Sequence, residues 1–399
     1  MKKKGFLCCC LLLGIILACH VIVVPNVTFA ETGVTKTRIK VGHHDILSGP
    51  AAYVGIASSH GLRIYIDYIN DQGGVLGRKI KLIDEDNRYM PLPSVAAVKK
   101  LISRDKVFAF VGNMGSVPNI ATMKQIQEAK IPSVAPSAWS KPMFVPPKRY
   151  IFPKGCLYEY TTRVIVDYIV NDFKNKSPKI VSIYQDDEWG ANNNSGLEGQ
   201  LKKYGLKLKG KFPFKRGSVD QGTQVINAVR SGAEYVHITA TTSAIYNILN
   251  EAKKVGFTPK FTCTYTDVKI LNLAGEKADG LITPKDAVLK DSNASGMAKA
   301  RENYQKYNPK ATLGTYSILG YVSGMLLVEG LKRTGANLTR EGLVNTLESF
   351  KNVDVTDGIM APFSYGPGER IPSNKCFLVK GDSKEKRWVK ITDWRSPGE

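Results

Sequence analysis

The hydroxyl and aromatic side chains between Phe108 and Trp139 are the groups in this chain whose types and spacing suit recognition of a small molecule. Phe108 to Val111 is an apolar run of strand length, Gly112, Gly115 and Ser116 break it, and a helical pattern follows from Val117 to Ala129. Ser116 therefore stands where a strand gives way to a helix, beside the unpaired N–H groups of a helix start; the same position suits a helix N-cap, and the two roles are compatible. Ile131 to Ala135 reads as the next strand, and Pro136, Ser137, Ala138 and Trp139 end it with small residues and one large aromatic. Parallel α/β sheets bind ligands at the carboxyl ends of their strands. These two loops are expected to form half of a pocket.

Groups for bond-breaking chemistry are not arranged to cooperate. The sequence holds no HExxH, no P-loop, no GxGxxG after its first strand and no GxSxG elbow. His43-His44-Asp45 looks reactive, but alternation along a strand sends His43 and His44 to opposite faces. Asp84-Glu85-Asp86 and Asp186-Asp187-Glu188 read as acidic strand ends, since neither has the spaced ligands and glycine of a calcium loop. The expectation is a binding protein with no catalytic group, metal or cofactor. A hydrolase of amides or esters is the enzymatic alternative, and its constellation would have to be assembled in space.

At 399 residues the chain is too long for one ordinary core, and two lobes are the natural division. Its 43% hydrophobic and 23% charged residues are those of a soluble globular protein. Lys2, Lys3 and Lys4 precede an apolar run from Phe6 to Val24, and Thr28-Phe29-Ala30 offers a cleavage point, so residues 1–30 read as a signal peptide and Glu31 as the mature start. A membrane anchor and a lipid-modified Cys19 are the alternatives, the second disfavoured by the large Leu17 two positions earlier. Cys8, Cys9, Cys10 and Cys19 belong to this segment, which leaves Cys156, Cys263 and Cys376, an odd number that allows at most one internal pair. The net charge of +21 is scattered, without a basic run or a base-stacking motif, and no nucleic-acid partner is expected.

The elements that must position the two loops follow in a regular rhythm. A strand from Val34 to His44, a helix from Gly55 to Asn70, a strand from Lys79 to Asp84 and a helix from Pro93 to Ser103 lead into the Phe108 to Trp139 region. Tyr150 to Phe152 leads out of this first lobe. The rhythm restarts with helix Tyr158 to Asp172, strand Ile180 to Gln185, helix Gly190 to Tyr204, strand Leu206 to Phe212, helix Gln221 to Ser231, strand Tyr235 to Thr239, helix Ser243 to Val255 and strand Lys260 to Thr264. Helices Met297 to Tyr307, Ser317 to Arg333 and Arg340 to Ser349 then come without strands of their own, so the chain must return to cover the first sheet; strands reappear at Cys376 to Lys380 and Trp388 to Ile391. Two doubly wound α/β lobes are predicted.

The order of several short stretches resembles a known family. These are Ile39 to Gly49, Asn70-Asp71-Gln72-Gly73-Gly74-Val75-Leu76-Gly77-Arg78, the acidic run followed by Pro91 and Val95, Val111-Gly112 with Ser116, Ile131 to Pro136, Glu188-Trp189-Gly190, and Leu273-Ala274-Gly275 with Gly280. From about Arg38 to Gly368 the chain resembles the periplasmic leucine/isoleucine/valine-binding proteins, the solute receptors of ABC importers. The resemblance implies two lobes joined by a three-strand hinge with crossovers near Gly155, Lys285 and Pro362. The N-terminal lobe would be 31–155 plus 286–362 and the C-terminal lobe 156–285 plus 363–399. It further implies a periplasmic or cell-envelope location, a small-molecule ligand, a membrane permease as partner and a monomer.

Carried over residue by residue, the resemblance gives Ser116 the ligand carboxylate, Ser137 and Ala138 the backbone and small contacts beside it, and Trp189 the aromatic of the opposing lobe. Three positions depart: the threonine that helps hold the carboxylate and amino group is Trp139, the second-lobe tyrosine is Thr241, and the glutamate that pairs with the ligand ammonium is Tyr265. Tyr53, Tyr158 and Tyr316 fall nearby in the same alignment, although Trp139, Tyr158, Tyr265 and Tyr316 also suit a lobe core. An ammonium buried without a carboxylate is costly. The expected ligand is a small carboxylate with an apolar or aromatic body; an aliphatic amino acid or amide bound in the same way, and a sensor acting through a protein partner, are the alternatives.

Overall fold

The computed structural model describes residues 31–398, so the expected signal peptide and Cys19 lie outside the described residues. Five strands form a parallel sheet: β1 (Arg38–Asp45), β2 (Lys79–Asp86), β3 (Ala109–Val111), β4 (Ser133–Val134) and β5 (Ile151–Phe152), in the spatial order β2-β1-β3-β4-β5. Helices α1 (Ala52–Asp71), α2 (Pro91–Ser103) and α3 (Ser116–Glu128) connect them. Helix α1 ends where Gly73 and Gly74 take positive φ, so that their N–H groups close on Asn70 O and Ile69 O. Helix α2 starts with Pro91, whose missing N–H would have had no helical partner.

The second half continues with α4 (Tyr158–Asp167), β6 (Ile180–Gln185), α5 (Glu188–Lys203), β7 (Gly210–Phe214), α6 (Gly222–Arg230), β8 (Tyr235–Thr239), α7 (Thr242–Lys254), β9 (Lys260–Cys263), α8 (Lys269–Ala274) and β10 (Ile282–Lys285). The helices α9 (Ser295–Tyr307), α10 (Thr315–Thr334) and α11 (Arg340–Glu348) come next, then β11 (Phe377–Asp382) and β12 (Arg387–Lys390). The seven strands lie in the order β12-β11-β10-β9-β8-β6-β7, with β11 and β12 antiparallel to their neighbours. The chain thus passes three times between the sheets.

Helix α10 packs on α1 and reaches β3 and β4, which is the return predicted for strandless helices. Gly61 and Gly320 permit this contact, because a Cβ on either would enter the backbone of the facing helix at Ser317 or Ser58. Alternation along β3 feeds two cores: Ala109 and Val111 face α1 and α10, and Phe110 faces Val98, Leu101 and Ile126 of α2 and α3.

Strand β10 and helix α8 escape a periodicity reading. The four residues of β10 include a proline and a lysine, a composition that argues against a central strand. Pro284 is accommodated because β9 pairs with β10 only at Ile282, before the ring. Strand β7 lies four residues later at its start than predicted, and its Pro213 sits on a sheet edge where no ladder donor is lost. Among the described residues no helix is long and apolar enough to cross a membrane.

Cys156, Cys263 and Cys376 are buried free thiols. Burial pushes the Cys263 thiol up to about 12 and raises that of Cys156. We therefore expect none of the three to react with a thiol reagent at pH 8 until the protein unfolds. Their joint replacement by Ala should leave a cooperative melt, each change costing about 1 kcal/mol. A native thiol that reacts within seconds would contradict this.

Candidate ligand cleft

The strand ends of both sheets converge on one cleft with an empty volume of about 550 Å³, its mouth included. The first half contributes Ile46 after β1, Ala51, Tyr53 and Val54 at the start of α1, Tyr89 after β2, Met114, Gly115 and Ser116 after β3, and Ser137 and Trp139 after β4. Tyr316 comes from α10. The facing half contributes Tyr158 at the start of α4, Trp189 on α5, Thr241 before α7 and Tyr265 after β9. Every candidate from the sequence is in this wall except Ala138, which is fully buried in the core behind it. Met114 and Gly115 belong to the strand-end loop expected to form part of the pocket, whereas Ile46, Ala51, Val54 and Tyr89 were not read from the sequence. For Tyr89 the signal was available, since it follows β2 as Ser116 follows β3; Arg88 and Tyr89 turn the chain there at φ 53° and 57°.

Aromatic rings form the body of the cleft. Trp139 lies 4.6 Å from Tyr265 and 5.7 Å from Tyr158, Tyr158 lies 6.2 Å from Trp189, and Tyr53 meets Tyr316 edge-on at 6.0 Å, all between ring centroids. Such spacings are those of favourable aromatic pairs. These rings therefore belong to the core and line the cleft at once. Burial raises the phenols of Tyr53, Tyr89, Tyr158, Tyr265 and Tyr316, so they remain neutral donors.

Polar side chains are few: neutral hydroxyls, which can donate and accept, and indole N–H groups. Ser116 is the first residue of α3, with Gly115 (φ 95°) as its cap, so its hydroxyl is free of capping and instead accepts from Ser140 Oγ at 2.9 Å. Ser137 Oγ accepts from the ammonium of Lys154. The indole Nε1 of Trp189 is buried without a hydrogen-bond partner. Among the described residues no Asp, Glu, Lys or Arg lines the cleft. His43 and His44 diverge as predicted: His43 pairs with Asp45 at 3.1 Å, and His44 turns to Asn87 at 3.3 Å. Among the described residues no cluster of His, Cys, Asp and Glu could hold a metal ion.

The two halves are latched across the cleft. Tyr53 Oη donates to Thr242 Oγ1 at 2.5 Å and accepts from Thr242 N at 3.2 Å. Arg216 donates to Tyr89 O at 3.2 Å and lies 5.2 Å from its ring, while pairing with Asp187 at 3.4 Å. Lys141 N donates to Asn192 Oδ1 at 2.5 Å. A second recess of about 580 Å³ opens beside β10, α10 and β12, but its buried Lys285 ammonium is already bound to Thr266 O at 2.5 Å and Thr315 Oγ1 at 3.1 Å.

Comparisons with known proteins agree with this architecture. A family model described as "Periplasmic binding protein" matches residues 38–386. A Leu/Ile/Val-binding protein homologue of Brucella abortus is 24% identical over 309 residues, 74% of this chain and 77% of that protein. An amino acid binding protein of Pseudomonas aeruginosa is 28% identical over 193 residues, 48% of this chain and only 51% of its own length. Among solved structures, a fatty acid ABC transporter substrate-binding protein from Thermomonospora curvata superposes with a TM-score of 0.84 at 24% identity, covering 94% of this chain and 96% of that one. A branched chain amino acid ABC transporter protein from Thermus thermophilus with bound valine gives 0.82 at 17% identity, covering 92% and 98%. The match of the family model over most of the chain, and the strand-end cleft between two α/β halves, lead to one assignment: the chain belongs to the periplasmic binding protein family and has the fold of its type I members.

Proposed function

We propose that this protein is the extracytoplasmic receptor of an ABC importer, closing two lobes over a small carboxylate with an apolar or aromatic body and presenting it to a membrane permease. The observation that carries the ligand class is the cleft wall: aromatic rings, neutral hydroxyls and an unpartnered indole N–H, with no carboxylate to meet an ammonium. The scaffold does not choose the ligand, because the same fold serves a chain named for fatty acids and one with bound valine. The lining chooses it. No group in the wall needs to break a bond, so a receptor rather than an enzyme is the reading we adopt.

We read the lobes as hinged near Gly155 and Lys285. Gly155 has φ 82°, and a Cβ there would meet the Asp286 carboxylate and the Trp139 indole, so the first crossing is confined to glycine. The third crossing is better taken at 371–375 than at Pro362, since Phe363 and Tyr365 are buried in the first core. Ligand contacts with both lobes would favour the latched state, as only differential affinity can.

The test is a thermal-shift and calorimetric screen of the protein from Glu31 against aliphatic amino acids, aliphatic and aromatic carboxylates, and their amides. A ligand at one hundred times its Kd adds about 2.7 kcal/mol to stability. Ser116→Ala should then cost a carboxylate about 1.5 to 3 kcal/mol, or one to two decades of affinity, by removing a hydrogen bond to a charged group. Unchanged affinity in that variant would remove Ser116 from the site.

A further inference from the structure

The residue that follows the proline after β5 is a lysine with no exposed surface. The ammonium of Lys154 donates to Ala135 O at 3.0 Å and to Ser137 Oγ, both neutral oxygens, and makes no ion pair among the described residues. The charged groups that face it are Asp286 and Asp45. Neither reaches it as an ion pair: Asp45 Oδ2 lies 3.1 Å from His43 Nε2, and Asp286 Oδ2 accepts from Cys156 N at 3.3 Å. The direct partners of this buried ammonium are thus all neutral, and a negative group brought to Ser137 would lower the cost of keeping it charged.

The geometry also fixes the sense of a hydrogen bond. An ammonium can only donate, so Ser137 Oγ accepts from it, and its own proton must go elsewhere. Ser137 lines the cleft, and Lys154 stands directly behind it. The carbonyl of Lys154 in turn accepts from Trp139 Nε1, which ties the lysine backbone to the largest ring of the wall.

We propose that Lys154 is a positioning residue for the ligand: through Ser137 it holds a hydroxyl donor toward the cleft, and its positive charge selects an anionic head group over a neutral one. The proposal rests on the carboxylate reading above. A carboxylate at Ser137 would add a negative charge one hydrogen bond away from the ammonium without touching the lysine itself.

The experiment uses isocaproate and its neutral isostere isocaproamide, with phenylacetate and phenylacetamide as an aromatic pair, titrated calorimetrically into wild type, Lys154→Met and Ser137→Ala. Both variants should lose about tenfold or more for the carboxylates and less than about threefold for the amides. Because burial lowers the free Lys154 ammonium to about 7, carboxylate binding at pH 8 should also take up close to one proton, read from titrations in two buffers of different ionisation enthalpy. The amides should take up none. Lys285, lowered to about 8, is bound to Thr266 and Thr315 and does not line this cleft, and Asp286, raised to about 6, is already ionised at pH 8. The proton measurement on wild type decides the matter even if Lys154→Met does not fold. Carboxylate binding with no proton uptake, or with equal losses for acid and amide, overturns the proposal alone. Failure of wild type to bind either acid removes the carboxylate reading and this proposal together.

Discussion

Isocaproate, which is leucine without its ammonium, should bind this protein about 100-fold or more tightly than leucine itself. Closing the cleft over leucine would bury its ammonium against Tyr265, where burial keeps the phenol neutral, and no carboxylate among the described residues lines the wall to receive it. Leaving one charge of a desolvated pair without its partner costs about 2–5 kcal/mol, and the lower part of that range already amounts to about two decades of affinity. The carboxylate end of both molecules would meet the same hydroxyls, so the difference isolates the ammonium. Calorimetric titration of the two compounds against wild type is the measurement, with Tyr265→Phe as the companion variant. Tight binding of leucine, unaltered by Tyr265→Phe, would mean that amino-acid specificity survives by another route and that the ligand class proposed here is wrong.

Acid should destabilise the protein through two buried histidines. His44 and His237 are completely buried, and desolvation lowers both to about 3. Each is neutral in the folded state and binds its proton at about 6.5 when unfolded, so the unfolded chain takes up more protons between these values. Stability is therefore full above pH 6.5 and is lost as pH falls toward 3. At about 1.4 kcal/mol per unit for each ring, the loss from pH 6.5 to pH 4 is about 7 kcal/mol. Asp286 acts in the opposite sense: burial raises it to about 6, so the cost of its buried charge disappears as pH falls through that value and offsets about 3 kcal/mol. The net expectation is a loss of about 4 kcal/mol, measured as the change in urea unfolding free energy between pH 7 and pH 4. His237→Gln should remove close to half of the histidine contribution. Equal stability at the two pH values would show that these rings are not held neutral.

The local features of the cleft were legible because they are written in short-range patterns. Gly112, Gly115 and Ser116 interrupt an apolar run, and such an interruption places a hydroxyl at a strand end whatever the rest of the chain does. The succession of α9, α10 and α11 without strands likewise demanded a return to the first sheet, since an apolar helix face must be covered. Tyr265 and Tyr316 could be read equally as core or cleft, and only the packing of the two halves made them both. Ala138 is next to two cleft residues in sequence yet faces the core, because neighbouring residues after a strand point in different directions. Lys154 gave no sign of its place: a lysine in a Pro- and Gly-rich stretch reads as a solvated loop residue. Its burial depends on β5 lying beside β4 and on the crossing of the chain at Asp286, residues more than one hundred positions apart whose meeting no local pattern encodes.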